Sequence, residues 1–127
     1  MMNIPTDLKY TKSDEWIRPA TGEVGLTDYA QGHLSDIVYV ELPEVGASVA
    51  QGASFGSIES VKAASDLNSP AGGTVAAVND DLTSAPEAVN SDPYGKGWII
   101  KVDVADAGEL SGLMDAAAYE AYCAERG

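Results

Sequence analysis

Ser54-Phe55-Gly56-Ser57-Ile58-Glu59-Ser60, Val61-Lys62-Ala63 and Ala64-Ser65-Asp66-Leu67-Asn68 follow one another without a break near the middle of the chain. Two strand-like segments of almost equal length flank a polar centre, and Lys62 sits at that centre. Pro43 and Gly46 interrupt the chain upstream and Gly52 marks a further turn, while Ser69-Pro70 with Gly72-Gly73 breaks it downstream. Each half therefore reads as turn, strand, hairpin tip, strand, turn. A lysine at such a tip is held clear of the body by a stiff two-stranded base.

On both sides of this hairpin, short runs rich in β-branched and aromatic residues recur between Gly, Pro, Asn and Asp. Strands are expected at Glu15–Arg18, Glu23–Leu26, Ile37–Leu42, Ser54–Glu59, Ala64–Leu67, Thr74–Val78 and Trp98–Val104. That spacing belongs to a mainly β sandwich or barrel. Three short helices punctuate it. The first opens at Thr27 and Asp28, which suit an N-cap and the positive end of a helix, and ends near Leu34. Asp106 with Glu109 three residues later has the form of a capping box, and Leu110, Leu113 and Met114 fall on one helical face beyond it. Asp115 can cap a last helix whose Tyr119, Tyr122 and Cys123 pack back onto the sheets, leaving Glu120 and Glu125 in water. No low-complexity linker or solenoid repeat divides the chain, so residues 1–127 are expected to form a single domain. Its hairpin-bearing core covers about 23–104 and its C-terminal helices about 106–125.

Composition narrows the function classes. A chain of 127 residues with 45% hydrophobic content can bury one modest core. Twenty acidic residues against 7 basic ones give a formal charge of −13, which repels phosphate backbones and anionic membranes. Nucleic acid and membrane surfaces are therefore not expected partners. The single cysteine, Cys123, cannot form an internal disulfide, and no cluster of Cys and His has zinc-site spacing. Residues Met1 to Tyr10 lack both the apolar core of a signal peptide and an Arg-rich transit pattern, so a cytoplasmic location is expected.

The chemistry centres on Lys62. A lysine that carries a covalent arm must be reachable by an attaching enzyme, and its far end must then rotate freely. Acylation turns the ammonium into a neutral amide, so the modified side chain can fold back on the surface without burying a charge. The plain alternative is a solvated surface lysine. Elsewhere His33 lies at a helix end with no nucleophile near it in sequence, Trp16 and Trp98 are expected between the sheets, and Cys123 fills space. Glu41 and Glu44 flank Pro43 as the rim of a turn. No nucleophile–base pair or phosphate-binding glycine loop is visible, which argues against a free-standing enzyme.

The run Phe55 to Leu67 with Asn68-Ser69-Pro70 resembles the lipoylation region of the glycine cleavage H-protein family. The likeness extends to Tyr10-Thr11-Lys12, Glu15-Trp16, Gly25-Leu26-Thr27-Asp28-Tyr29-Ala30, Val40-Glu41-Leu42-Pro43-Glu44-Val45-Gly46, Val89-Asn90, Asp92-Pro93-Tyr94-Gly95 and Gly97-Trp98. The resemblance implies a barrel-sandwich hybrid of two small antiparallel sheets, similar to lipoyl domains, with short helices appended, among them a C-terminal one. It implies lipoate in amide linkage on Lys62, and a cleft lined by Ser13, Glu15 and Asp66 that shelters the loaded arm. Such a carrier would shuttle the aminomethyl group of glycine from glycine decarboxylase (P protein) to aminomethyltransferase (T protein). Dihydrolipoyl dehydrogenase (L protein) would reoxidise the arm, and lipoate-attaching enzymes would install it. The chain departs from the family at Asp14, where His is common between the Ser and the Glu.

Neighbouring carriers fit less well. Biotinyl domains usually place Met on both sides of the target lysine, where this chain has Val61 and Ala63. Lipoyl domains of 2-oxo-acid dehydrogenases typically have Asp before it and belong to larger chains. The remaining alternatives are a lipoyl donor that relays its arm to other lipoyl-dependent complexes, and an unmodified interaction module.

Overall fold

The computed structural model describes residues 3–126. Among these, nine strands and three helices run in the order β1 (Lys9–Tyr10), β2 (Glu15–Ile17), β3 (Glu23–Leu26), α1 (Asp28–Leu34), β4 (Ile37–Glu41), β5 (Ser48–Val49), β6 (Ser54–Ser60), β7 (Ala64–Asn68), β8 (Gly73–Val78), α2 (Ala88–Ser91), β9 (Ile100–Val104) and α3 (Ala116–Arg126). Two 3-10 turns, Asp80–Thr83 and Ala107–Gly112, complete the chain. All strand pairs are antiparallel and form two sheets. One has six strands in the order β1-β2-β3-β9-β8-β5; the other is the three-stranded sheet β4-β6-β7. The chain is mainly β, with the two antiparallel sheets and the C-terminal helix that the sequence leads one to expect.

Period-2 alternation on the strands builds the core between the sheets. Val24, Val75, Ile100 and Val102 come from the larger sheet, and Val40, Ile58 and Leu67 from the smaller one; all join one buried cluster. Strand β2 contributes to two cores at once. Ile17 faces the inter-sheet cluster, whereas its neighbour Trp16 faces the opposite side and packs with Leu8, Tyr10, Tyr94, Tyr119 and Cys123. Helix α3 covers this second cluster. Tyr119 stacks on Tyr10 with ring centroids 4.6 Å apart and planes 7° from parallel. The Trp16 indole N–H donates to the carbonyls of Leu26 and Pro93, both at 3.1 Å.

This arrangement corrects several expectations. Trp16 lies outside the sheet sandwich, because α3 gives the outer face of β2 an apolar cover of its own. Trp98 is half-buried against the same outer cluster. The last sheet strand starts at Ile100 instead of Trp98, since the Trp98 N–H turns back to the Gly95 carbonyl (3.1 Å) and Gly97 to that of Asp92 (2.8 Å). Asp106 caps its turn through Gly108 N–H (2.9 Å), but Glu109 does not complete a capping box; its Oε1 accepts from Gly72 N–H at 2.8 Å and ties the turn to the sheet. Strands β1 and β5 have two residues each, too few to show a period. Thr27 caps α1 by accepting from Ala30 N–H (3.3 Å), and Asp115 caps α3 through Ala118 N–H (2.8 Å).

Gly25 shows how tightly the outer core is built. A Cβ at that position would lie 2.7 Å from two carbons of the Trp16 ring, and the indole cannot retreat without losing its two carbonyl partners. Gly25→Ala is therefore expected to destabilise the fold by roughly 1–3 kcal/mol, the range for overpacking. Urea unfolding should show a lower midpoint at unchanged slope.

Candidate functional site

Strands β6 and β7 form the hairpin foreseen around Lys62, with Glu59 opposite Ala64, Ile58 opposite Ser65 and Ser57 opposite Asp66. Val61 and Lys62 occupy the reversal. Ser60 closes it: its N–H donates to the Ala63 carbonyl at 2.8 Å, and its hydroxyl oxygen lies 3.1 Å from the N–H groups of both Lys62 and Ala63. A short polar side chain at the first position of a turn serves this purpose well, because it replaces water at backbone donors that the ladder leaves unpaired. A further bond runs from Val61 N–H to the Asp36 carbonyl (3.1 Å) and braces the tip against the segment before β4. Lys62 itself is exposed, and its ammonium donates to the His33 carbonyl at 3.3 Å.

His33 also lines a cleft of about 200 Å³ between α1, the β7 edge and the end of α3. The Lys62 amine is thus bonded to one of the residues that line this cleft. Leu26, Ala30 and Leu34 give it an apolar floor, and Tyr29 stands beside the His33 ring at 4.3 Å. Ser13, Asp14, Ser65, Asp66 and Arg126 supply its polar rim. Ser13 and Asp66, far apart in sequence, both line it; Asp66 is exposed, and its carboxylate has no hydrogen-bond or ion-pair partner among the described residues.

Glu15, expected on the same wall, does not line the cleft. It is 1% exposed and turned inward. Its Oε1 accepts from the hydroxyls of Thr11 (2.7 Å) and Ser13 (2.5 Å), and its Oε2 from Asn68 N–H (3.1 Å). Neither a cleft carboxylate nor a solvated one describes it. The side chain joins the β2 segment to the base of the Lys62 hairpin, since Asn68 ends β7. Burial pushes its carboxyl above the ordinary value of 4.5, against the opposing effect of the hydrogen bonds from Ser13, Asn68 and Thr11.

The residue before Glu15 is embedded in a network that the sequence did not announce. Asp14 accepts both guanidinium nitrogens of Arg126, at 2.6 and 2.8 Å, and the phenol of Tyr119 at 2.8 Å. A carboxylate can only accept, so the Tyr119 proton points to Asp14 and the Thr27 hydroxyl, 2.7 Å away, donates to the phenol oxygen. Arg126 lies over the rings of Tyr29 and Tyr122, each 4.6 Å from its centroid. The bonds to Asp14 hold the guanidinium charged, above its ordinary range, against the effect of desolvation. No sequence signal links position 14 to position 126, because the pairing spans 112 residues.

Two small antiparallel sheets with an exposed lysine at the reversal of a core-anchored hairpin give a fold of the lipoyl-domain kind. A family model described as Glycine cleavage H-protein matches residues 8–126. Glycine cleavage system H protein 2, mitochondrial, of Arabidopsis thaliana is 56% identical over 121 residues, covering 94% of this chain and 78% of that protein. The glycine cleavage system H protein of Opitutus terrae is 53% identical over 122 residues, covering 94% and 96%. The crystal structure of an H protein from Mycobacterium marinum superposes with a TM-score of 0.85 at 38% identity, covering 98% of this chain and 99% of that one. The chain belongs to the glycine cleavage H-protein family, whose members are non-catalytic carrier subunits of the glycine cleavage system.

Glu15 has a measurable signature. Its carboxyl binds a proton more readily folded than unfolded, so the folded state holds more protons between the ordinary 4.5 and the raised value. Its contribution to stability is present below pH 4.5 and is lost as pH rises through the raised value. Glu15→Gln removes this titration while a carboxamide can still accept from Asn68 N–H. The stability difference between variant and parent, read by urea unfolding at a series of pH values, should therefore shift in favour of the variant as pH rises; a difference independent of pH would contradict the assignment.

Proposed function

We propose that Lys62 carries lipoate in amide linkage, and that this chain shuttles the aminomethyl group of glycine between the enzymes of the glycine cleavage system. The observation that carries the reading is the position of Lys62: exposed, at the reversal of a braced hairpin, with its amine bonded to His33, a residue that lines the cleft. The residues suit the group. The Lys62 amine makes one weak hydrogen bond, to the His33 carbonyl, and an acylated nitrogen keeps an N–H that can still make it. When attached, lipoate supplies a disulfide–dithiol couple, and the difficult organic chemistry belongs to the cofactors of the partner enzymes.

The chain's own residues orient and shelter. Ser60 fixes the turn so that Lys62 leaves it in one direction. The Leu26–Ala30–Leu34 floor excludes water from one side of the cleft, and Ser13 and Asp66 offer polar contacts at its rim. A carboxylate beside a cationic amine is favourable, more so where water is partly excluded. Tethering raises the local concentration of the arm at each docked active site. The partners are glycine decarboxylase, aminomethyltransferase and dihydrolipoyl dehydrogenase, with a lipoate-attaching enzyme upstream and the cytoplasm as the compartment. Among the described residues no helix is long and apolar enough to cross a membrane.

Incubation with lipoate and a lipoate-attaching enzyme should add the mass of one lipoyl group, and Lys62→Ala should receive none. The modified protein, mixed with the three partner enzymes, should support glycine-dependent NADH formation. A chain that gains no mass, or gains it equally as Lys62→Ala, lacks the site; one that is modified but supports no NADH formation is a relay for other complexes.

A further inference from the structure

We propose that Arg126 sets the charge of the cleft, neutralising Asp14 so that Asp66 is left as the carboxylate that attracts the cationic end of an arm tethered at Lys62. This rests on the reading that Lys62 bears the arm. Three charged side chains line the space, Asp14, Asp66 and Arg126, and the Lys62 amine is bonded to the carbonyl of His33, which also lines it. Acylation removes the charge of Lys62. Without Arg126, two carboxylates lining the same cleft would compete for one cation. With it, Asp14 is occupied on both oxygens: Oδ1 takes a guanidinium N–H and the Tyr119 hydroxyl, and Oδ2 takes the second guanidinium N–H.

The arrangement is built to hold this way. A bidentate guanidinium–carboxylate pair fixes the orientation of both groups. The planar cation lies over both the Tyr29 and the Tyr122 ring, a role a lysine would fill poorly. Side-chain exposures of 32% for Arg126 and 13% for Asp14 place the pair at the cleft wall, where its net charge is felt by an occupant. Asp66, on the β7 edge, has no comparable partner among the described residues. Arg126 is thus a positioning residue: it acts on an arm through Asp14, by denying it a second anchoring point.

The test uses a chemical tether and so does not depend on lipoylation. In the full chain carrying Lys62→Cys, the new thiol is modified with aminohexyl methanethiosulfonate, or with its hexyl analogue as the neutral control; Cys123 is 2% exposed and sheltered from the reagent. The docked fraction is read from the amide NMR shifts of Ser13, Tyr29 and Asp66. Arg126→Gln should raise the docked-to-free ratio of the cationic tether by about fivefold, the size expected for one extra unit charge in a partly solvated cleft. Asp14→Asn, which leaves Arg126 unbalanced, should lower it by a similar factor, and the Asp14→Asn/Arg126→Gln double variant should return to the parent value. The neutral tether should not move in any of them.

Opposite signs for the two single variants separate a charge-setting role from simple loosening of α3, which would move both the same way. Should Arg126→Gln not fold, Asp14→Asn and Asp66→Asn decide: the first must weaken docking of the cationic tether, and the second must abolish its advantage over the neutral one. Shifts of the same sign in both single variants, or equal behaviour of the two tethers, overturn the proposal. Failure of lipoylation at Lys62 would instead overturn the reading it rests on.

Discussion

Ile58 and Leu67, both 0% exposed, anchor the two arms of the Lys62 hairpin in the inter-sheet core. Their burial is worth about 1.5–3 kcal/mol apiece, against about 1 kcal/mol for a typical hydrogen bond at the tip. The apolar anchors therefore hold the ribbon in place, and the turn bonds decide only the shape of its end. This division lets Val61, 65% exposed, and Lys62 stand outside the body without weakening it. A carrier needs that combination, because a loose tip would scatter the arm and a buried one would withhold it.

A second consequence of the same anchoring concerns Glu15. Burying a carboxylate is costly unless its oxygens are bonded, and three donors converge on this one. One of them is the N–H of Asn68, the residue after the anchor Leu67. The β2 segment and the hairpin base are thereby fixed to each other at the edge of the cleft. Ser13 and Asp66, which line that cleft together, owe their proximity to this inward-turned neighbour. Its part is structural registration, performed one layer beneath the surface where the arm would lie.

Local chemistry made much of this legible. The hairpin, α1 with its Thr27 cap and the Asp115 cap of α3 all follow from side chains acting within four residues of themselves, where spacing carries the information. Trp16 was misplaced because period-2 alternation tells which residues share a face but not which face a distant helix will cover. Glu109 looked like a capping residue because Asp106 precedes it by three; its true partner, Gly72 N–H, lies in another element. The cleft was legible only through family resemblance at Ser13 and Asp66, and Arg126 not at all. Its partner is chosen by the packing of α3 onto Tyr10 and Trp16, a tertiary event without a local pattern.

Asp14 ties these threads together. Its φ of 74° lies in the left-handed region, which most side chains avoid and which Asn, Asp and His enter more readily than others. Asp14 meets that backbone demand and brings a charge with it. A nearly buried carboxylate, 9% exposed, stands at the cleft wall, where it would be costly unpaired. The last turn of α3 meets that cost with the Arg126 guanidinium, and the Tyr119 hydroxyl donates a third bond, to Oδ1. The C-terminal helix is thus more than a cover for the outer aromatic cluster: its final residues complete a wall of the site whose first residues lie at the other end of the chain.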